Sequence, residues 1–231
     1  MHILFFLLLS LYRLLNFTSI LWNCKPFEEN KPYTLSTRWH TKISAKVAWV
    51  KNDAIYATCD INMSCESYFE HVAQIRTALN QDGFFWVNLT ILNATRREAD
   101  VWTLKFIEGI ETQASIIEQC DLKSYVKAER VDCETIQATD GMSVQCVVTR
   151  VWPQAVCLFN TSLHNTSIEY SISNVTHQHE LSSQAPAYYK TTCSAKVLYT
   201  GTFDIDITVF PNITGADDNL EFRTSLHYNY T

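Results

Sequence analysis

The sequence predicts an all-β protein of two β-sandwich domains in tandem. Length and composition set the frame. Of 231 residues, 47% are apolar, and only five are Gly and five Pro. That is material for two cores of about 100 residues each, and not for a disordered chain. Alternation with period two is the second observation. Phe85, Val87, Leu89 and Ile91 fall on one face of an extended chain, with Asn88 and Thr90 on the other. Phe203, Ile205, Ile207 and Val209 alternate in the same way with Asp204, Asp206 and Thr208. The third observation is the spacing of further short candidates at 43–50, 54–60, 100–107, 143–149, 155–159, 168–173 and 189–198. Polar turns such as Asn80-Gln81-Asp82-Gly83 separate them. Many short strands at this spacing predict a sandwich or a barrel, and the motifs below favour the sandwich. The stretch Tyr68–Ala78 reads either as a helix or as an edge strand with its turn. Residues 121–129 lack Gly and Pro and alternate, so they are expected to run as one strand from the first domain into the second.

The compartment is read from three features. Ile3–Leu11 is a short apolar run, too short to span a bilayer and suited to a signal peptide over residues 1–20, with a cut between about 19 and 23. An uncleaved anchor is the alternative. Eight cysteines, Cys24, Cys59, Cys65, Cys120, Cys133, Cys146, Cys157 and Cys193, form an even set without the tight pairs of a zinc site. Asn-x-Ser/Thr triplets begin at Asn62, Asn88, Asn93, Asn160, Asn165, Asn174, Asn212 and Asn229. Together they lead to the expectation of a secreted chain, or one on the extracellular face of the plasma membrane through an anchor that this chain lacks. The net charge of −6 offers no field for nucleic acid.

Two motifs sharpen the sandwich. Leu89-Thr90-Ile91-Leu92-Asn93 followed by Glu98-Ala99-Asp100-Val101-Trp102-Thr103-Leu104 resembles the E–F corner of variable-type immunoglobulin domains. Glu98 stands at the acidic place, Trp102 at the tyrosine place and Leu104 at the second-cysteine place. The resemblance implies a first domain over 24–125 without an inter-sheet disulfide. Gly141-Met142-Ser143-Val144-Gln145-Cys146 resembles an immunoglobulin B strand, and Tyr188-Tyr189-Lys190-Thr191-Thr192-Cys193 an F strand. That implies a second domain over 126–214 bridged by Cys146–Cys193, with 215–231 as a tail. Cys59–Cys65 would close a hairpin, Cys24–Cys120 would tie the first and last strands of the first domain, and Cys133–Cys157 would remain. Eight cysteines allow 105 pairings. Val151–Phe159, Tyr188–Cys193 and Phe210–Gly215 together resemble tandem immunoglobulin-like extracellular proteins of molluscan (gastropod) type. The resemblance implies extracellular recognition of a protein or glycan, with no cofactor.

Candidate chemistry is sparse. His177-Gln178-His179 places two imidazoles on one side of an extended chain but reads as a polar loop. Asp217-Asp218-Asn219 lacks the ligand series of a calcium loop. No nucleophile elbow or catalytic constellation is recognisable, so no catalytic, cofactor or metal residue is assigned. Trp86, opposite Val87 and Leu89, is a candidate exposed anchor. The expected function is binding. The alternatives are a secreted β-rich enzyme or inhibitor, or a viral or parasite-type surface glycoprotein of the same fold.

Overall fold

The computed structural model describes residues 21–22, 24–40, 46–60, 64–69, 72–79, 84–107, 116–138, 141–163, 171–198, 202–214 and 221–229. The contacts divide the chain into two compact units. The first runs to Cys24 and takes Asn30–Leu122; the second takes Lys25–Glu29 and Lys123–Thr231. The signal-peptide reading of residues 1–20 lies outside the described residues.

In the first unit, β3 (Lys31–His40), β8 (Phe84–Ala94) and β7 (Val72–Leu79) form a sheet in the order β3-β8-β7. The stretch read as helix or edge strand is therefore an edge strand. The other sheet contains β1 (Leu21–Trp22), β4 (Lys46–Lys51), β5 (Ala54–Cys59), β6 (Cys65–Ser67), β9 (Val101–Ile107) and β10 (Ile116–Asp121), in the order β1-β10-β9-β4-β5-β6. Two extra strands beside the β9–β4 pair are the variable-type arrangement. Leu35, Val87, Leu89 and Ile91 from one sheet, and Val47, Trp49, Ala57, Trp102 and Leu104 from the other, are buried. No cysteine pair joins the two sheets at their centre. Cys24–Cys120 ties the start of the unit to β10, and Cys59–Cys65 closes the β5–β6 hairpin across directly paired residues.

The corner before β9 follows from its residues. Thr95 caps a 3-10 turn, Arg96–Glu98, in a capping box. The buried Glu98 carboxylate accepts from the Thr95 backbone N–H and hydroxyl, both at 2.7 Å. The indole N–H of Trp102 donates to the Glu98 carbonyl at 2.9 Å. In immunoglobulin domains a tyrosine hydroxyl makes the equivalent bond back to the upstream backbone, so here an indole takes its place.

Among the described residues, the second unit has seven long strands. They are β12 (Arg130–Ala138), β13 (Gly141–Val151), β14 (Ala155–Leu163), β15 (Ser171–Leu181), β16 (Tyr189–Leu198), β17 (Thr202–Pro211) and β18 (Phe222–Asn229). One sheet has the order β12-β13-β16-β15, the other β14-β17-β18. Counted from β12, these are strands 1-2-5-4 against 3-6-7, the constant-type arrangement. A short parallel pair completes the unit: β2 (Phe27–Glu28) with β11 (Ser124–Tyr125). The Ser124 hydroxyl donates to buried Glu29 at 3.1 Å.

Four expectations are corrected. Tyr188–Cys193 opens the fifth strand and not the sixth; β17 holds the F position. Cys146 and Cys193 are paired neighbours within one sheet, so their side chains leave the same face side by side. Spanning the core takes a residue of the facing sheet, and Cys157 on β14 supplies it. The bridges are Cys157–Cys193 between sheets and Cys133–Cys146 between paired residues of β12 and β13. Residues 222–229 are a strand of this unit and not a tail, and Lys25–Glu29 belongs to it as well. Residues 121–129 do not run as one strand: β10 ends at Asp121 and β11 covers only Ser124–Tyr125.

Candidate recognition site

Two bulges shape the β12-β13-β16-β15 sheet. Between the pairs Val148↔Thr191 and Val151↔Tyr189, two residues of β13 face one of β16. Arg150 sits in this bulge with φ 56°, a left-handed conformation uncommon outside glycine and asparagine. A bulge re-aims a side chain out of the strand's alternation. The Arg150 guanidinium lies over the Tyr188 ring, 5.2 Å from its centre, and donates to Glu129 at 3.0 Å. The bond to Glu129, then that to Tyr188, holds the guanidinium pKa above its ordinary value.

A second bulge lies between Ser173↔Lys196 and Thr176↔Ser194 on β15, where Asn174 takes φ 51°. The extra residue moves the inward positions of β15 from even to odd numbers. His177 and His179 then pair with Cys193 and Thr191 on the core side. The region read as a polar loop is thus a strand; half-buried His177 stands beside the inter-sheet bridge, while His179 is exposed. The Cys157 backbone N–H donates to His177 Nε2 at 3.1 Å. His179 Nδ1 lies 3.0 Å from the hydroxyl of buried Thr191, which accepts from the Ala155 N–H at 3.2 Å. Desolvation, then repulsion from His177, lowers the His179 pKa. Cys157, His177 and Cys193 bring three potential metal-binding atoms within 4.8 Å of one another. The two sulfurs are bonded to each other, so neither is a thiolate ligand.

Where β15 turns into β16, the chain forms a concavity of about 630 Å³ lined by Arg150, Glu180, Leu181, Ser182, Gln184, Ala185, Pro186, Tyr188, Tyr189 and Lys190. Its volume is within the range of small-ligand pockets. The loop is shaped by a bond from Ser182 N–H to the Tyr188 carbonyl at 2.8 Å, and by one from Gln184 N–H to the Ser182 hydroxyl at 3.1 Å. Tyr189 stacks on Trp152, ring centres 5.6 Å apart, and meets His179 edge-on. Lys190 and Glu180 pair across the strands at 3.8 Å. Rigid aromatic rings beside charged and amide groups bind well because few rotamers are lost on contact.

Sequence reading did not single out Arg150 or Gln184, and met Glu180 only as the neighbour of the two histidines. The signal for Arg150 was a bulge, which period-two counting does not register. Among the triplets, Asn93, Asn160, Asn174 and Asn212 are exposed, and Asn88 is half-buried with its carbonyl accepting from Ser36 at 2.5 Å. Asn62, Asn165 and Asp217–Asn219 lie outside the described residues, as does the side chain of Asn229. Trp86 is half-buried. No triplet residue lines the concavity. Among the described residues, no helix is long and apolar enough to cross a membrane.

No protein-family model and no curated protein sequence matches the chain. Among solved structures, bovine butyrophilin is similar with a TM-score of 0.55 at 8% identity, over 90% of this chain and 95% of that one. The likeness shows an immunoglobulin-like fold, and nothing in it supports a molluscan type.

Proposed function

We propose that this chain is a secreted or cell-surface glycoprotein that acts in extracellular recognition, and that the concavity at the β15–β16 end of the second unit is its binding site. The reading rests on one observation: a preformed hollow of about 630 Å³ whose Arg150, Tyr189 and Lys190 sit on strands tied by two disulfides. Four disulfides and no free cysteine among the described residues suit an oxidising compartment. The hollow favours binding over catalysis. Its single carboxylate, Glu180, is paired with Lys190, whereas acid–base chemistry uses groups set apart in pKa. The partner is an extracellular protein or glycan.

The test is a screen of the chain, expressed with its glycans, against arrayed extracellular proteins and glycans. It is repeated with the Arg150→Ala, Tyr188→Ala double variant. The reading expects a partner whose affinity falls at least about tenfold in the variant, the scale of one lost anchor. A partner bound equally by both proteins would place recognition elsewhere.

A further inference from the structure

The second unit carries four sulfurs and an imidazole in one line. Across the sheet, Cys133 pairs with Cys146, Cys146 with Cys193, and Cys193 with His177. Paired residues of neighbouring strands share a face, so all four side chains leave the same side of the sheet. Cys157 of the facing sheet joins the row through its bond to Cys193. Access along the row is uneven. Cys133 is half-buried on edge strand β12, while Cys146, Cys193 and Cys157 are buried.

We propose that Cys133 is a site of S-thiolation by a small monothiol, and that its modification moves the inter-sheet bridge. The incoming thiolate attacks Cys133 Sγ, the reachable sulfur of its pair. A mixed disulfide forms there, the Cys133–Cys146 bond breaks, and the electron pair leaves on Cys146 Sγ. That thiolate stands beside Cys193, its partner on the next strand. It attacks Cys193 Sγ, forms Cys146–Cys193 and expels Cys157 as a thiolate, which takes up the proton the monothiol lost. No net oxidant or reductant is consumed beyond the monothiol itself. Directly paired antiparallel residues have Cα atoms about 4.5–5.5 Å apart, within disulfide reach. The His177 ring stands within 4.8 Å of both sulfurs of the original bridge. Its Nε2 accepts from the Cys157 backbone N–H, which holds the ring beside the sulfur that leaves. The exchange replaces a bridge between sheets by one within a sheet, so the two layers are no longer stapled.

The experiment treats the full glycosylated chain with glutathione, quenches in acid, alkylates free thiols and maps unreduced peptides by mass spectrometry. The expected map has glutathione on Cys133, a Cys146–Cys193 cross-link and the alkyl group on Cys157. An alkyl group on Cys146 with Cys157–Cys193 intact overturns the proposal. So does thiolation that never reaches Cys133. In a second arm, Cys133→Ser without added thiol is expected to show Cys146–Cys193 and a free Cys157; a free Cys146 contradicts the relay. Should that variant fail to fold, the wild-type arm decides alone.

Discussion

At the residue scale, the first unit shows how a sandwich core manages without a central disulfide. Leu35 and Leu104 are fully buried on its two sheets, and Trp49, 2% exposed, is paired with Leu104 across the β4–β9 ladder. Leu104→Ala removes this filling and leaves a cavity, so denaturant unfolding is expected to show a loss of about 2–5 kcal/mol. This position was legible because corner motifs are local: Glu98, Trp102 and Leu104 hold their places within seven residues. Trp49 was not singled out, since no single tryptophan announces its strand. His179 gives a pH prediction. Its pKa is lowered in the folded state, by burial first and by His177 second. The unfolded chain then binds more protons as pH falls below 6.5, so stability present above that value is lost on acidification. Thermal melts of His179→Gln are expected to show a weaker loss than wild type over this range. An equal loss in both would remove the histidine from the account.

At the scale of elements, period-two counting located most strands, and bulges account for the clearest misreadings. Asn174 and Val175 shift the phase of β15, which made a strand with His177 and His179 opposite Cys193 and Thr191 look like a loop. The fifth strand was mistaken for the sixth because an inward cysteine after aromatic residues looks alike in either sheet. Strand identity depends on long-range pairing, which local pattern does not carry. Residues 222–229 were missed as a strand because Phe222, Arg223, His227 and their neighbours alternate only weakly. The β13 bulge can be tested through Arg150. Glycine fits φ 56° better, by about 1 kcal/mol, while the solvent-exposed pair with Glu129 contributes little to stability. Arg150→Gly is therefore expected to leave stability within about 1 kcal/mol of wild type while partner affinity falls. A stability loss well beyond that would mean the guanidinium is part of the frame and not of the binding face.

At the scale of the molecule, two units of related topology are secured by different means. The first keeps its disulfides at the margin, on β10 and on the β5–β6 hairpin, and fills its centre with Leu and Trp. The second places one bridge across its core, between strands three and five, where immunoglobulin domains join strands two and six. The even cysteine count was plain in the sequence, but the pairing was not, because it follows from which sheet each cysteine occupies. Closing a loop with a sequence separation of 36 is worth about 3–4 kcal/mol by chain entropy. The paired replacement Cys157→Ala, Cys193→Ala is expected to lose that order of stability in denaturant unfolding.

The bridge pattern itself is the most direct test of this architecture. Trypsin cuts after Arg130, Arg150, Lys190 and Lys196, which puts Cys146, Cys157 and Cys193 on three separate peptides. In acid-quenched, thiol-free protein, peptide 191–196 should be cross-linked to 151–190 by Cys193–Cys157, with Cys133 and Cys146 joined inside 131–150. A cross-link from 191–196 to 131–150 in the untreated protein would contradict the Cys157–Cys193 bridge between the facing sheets.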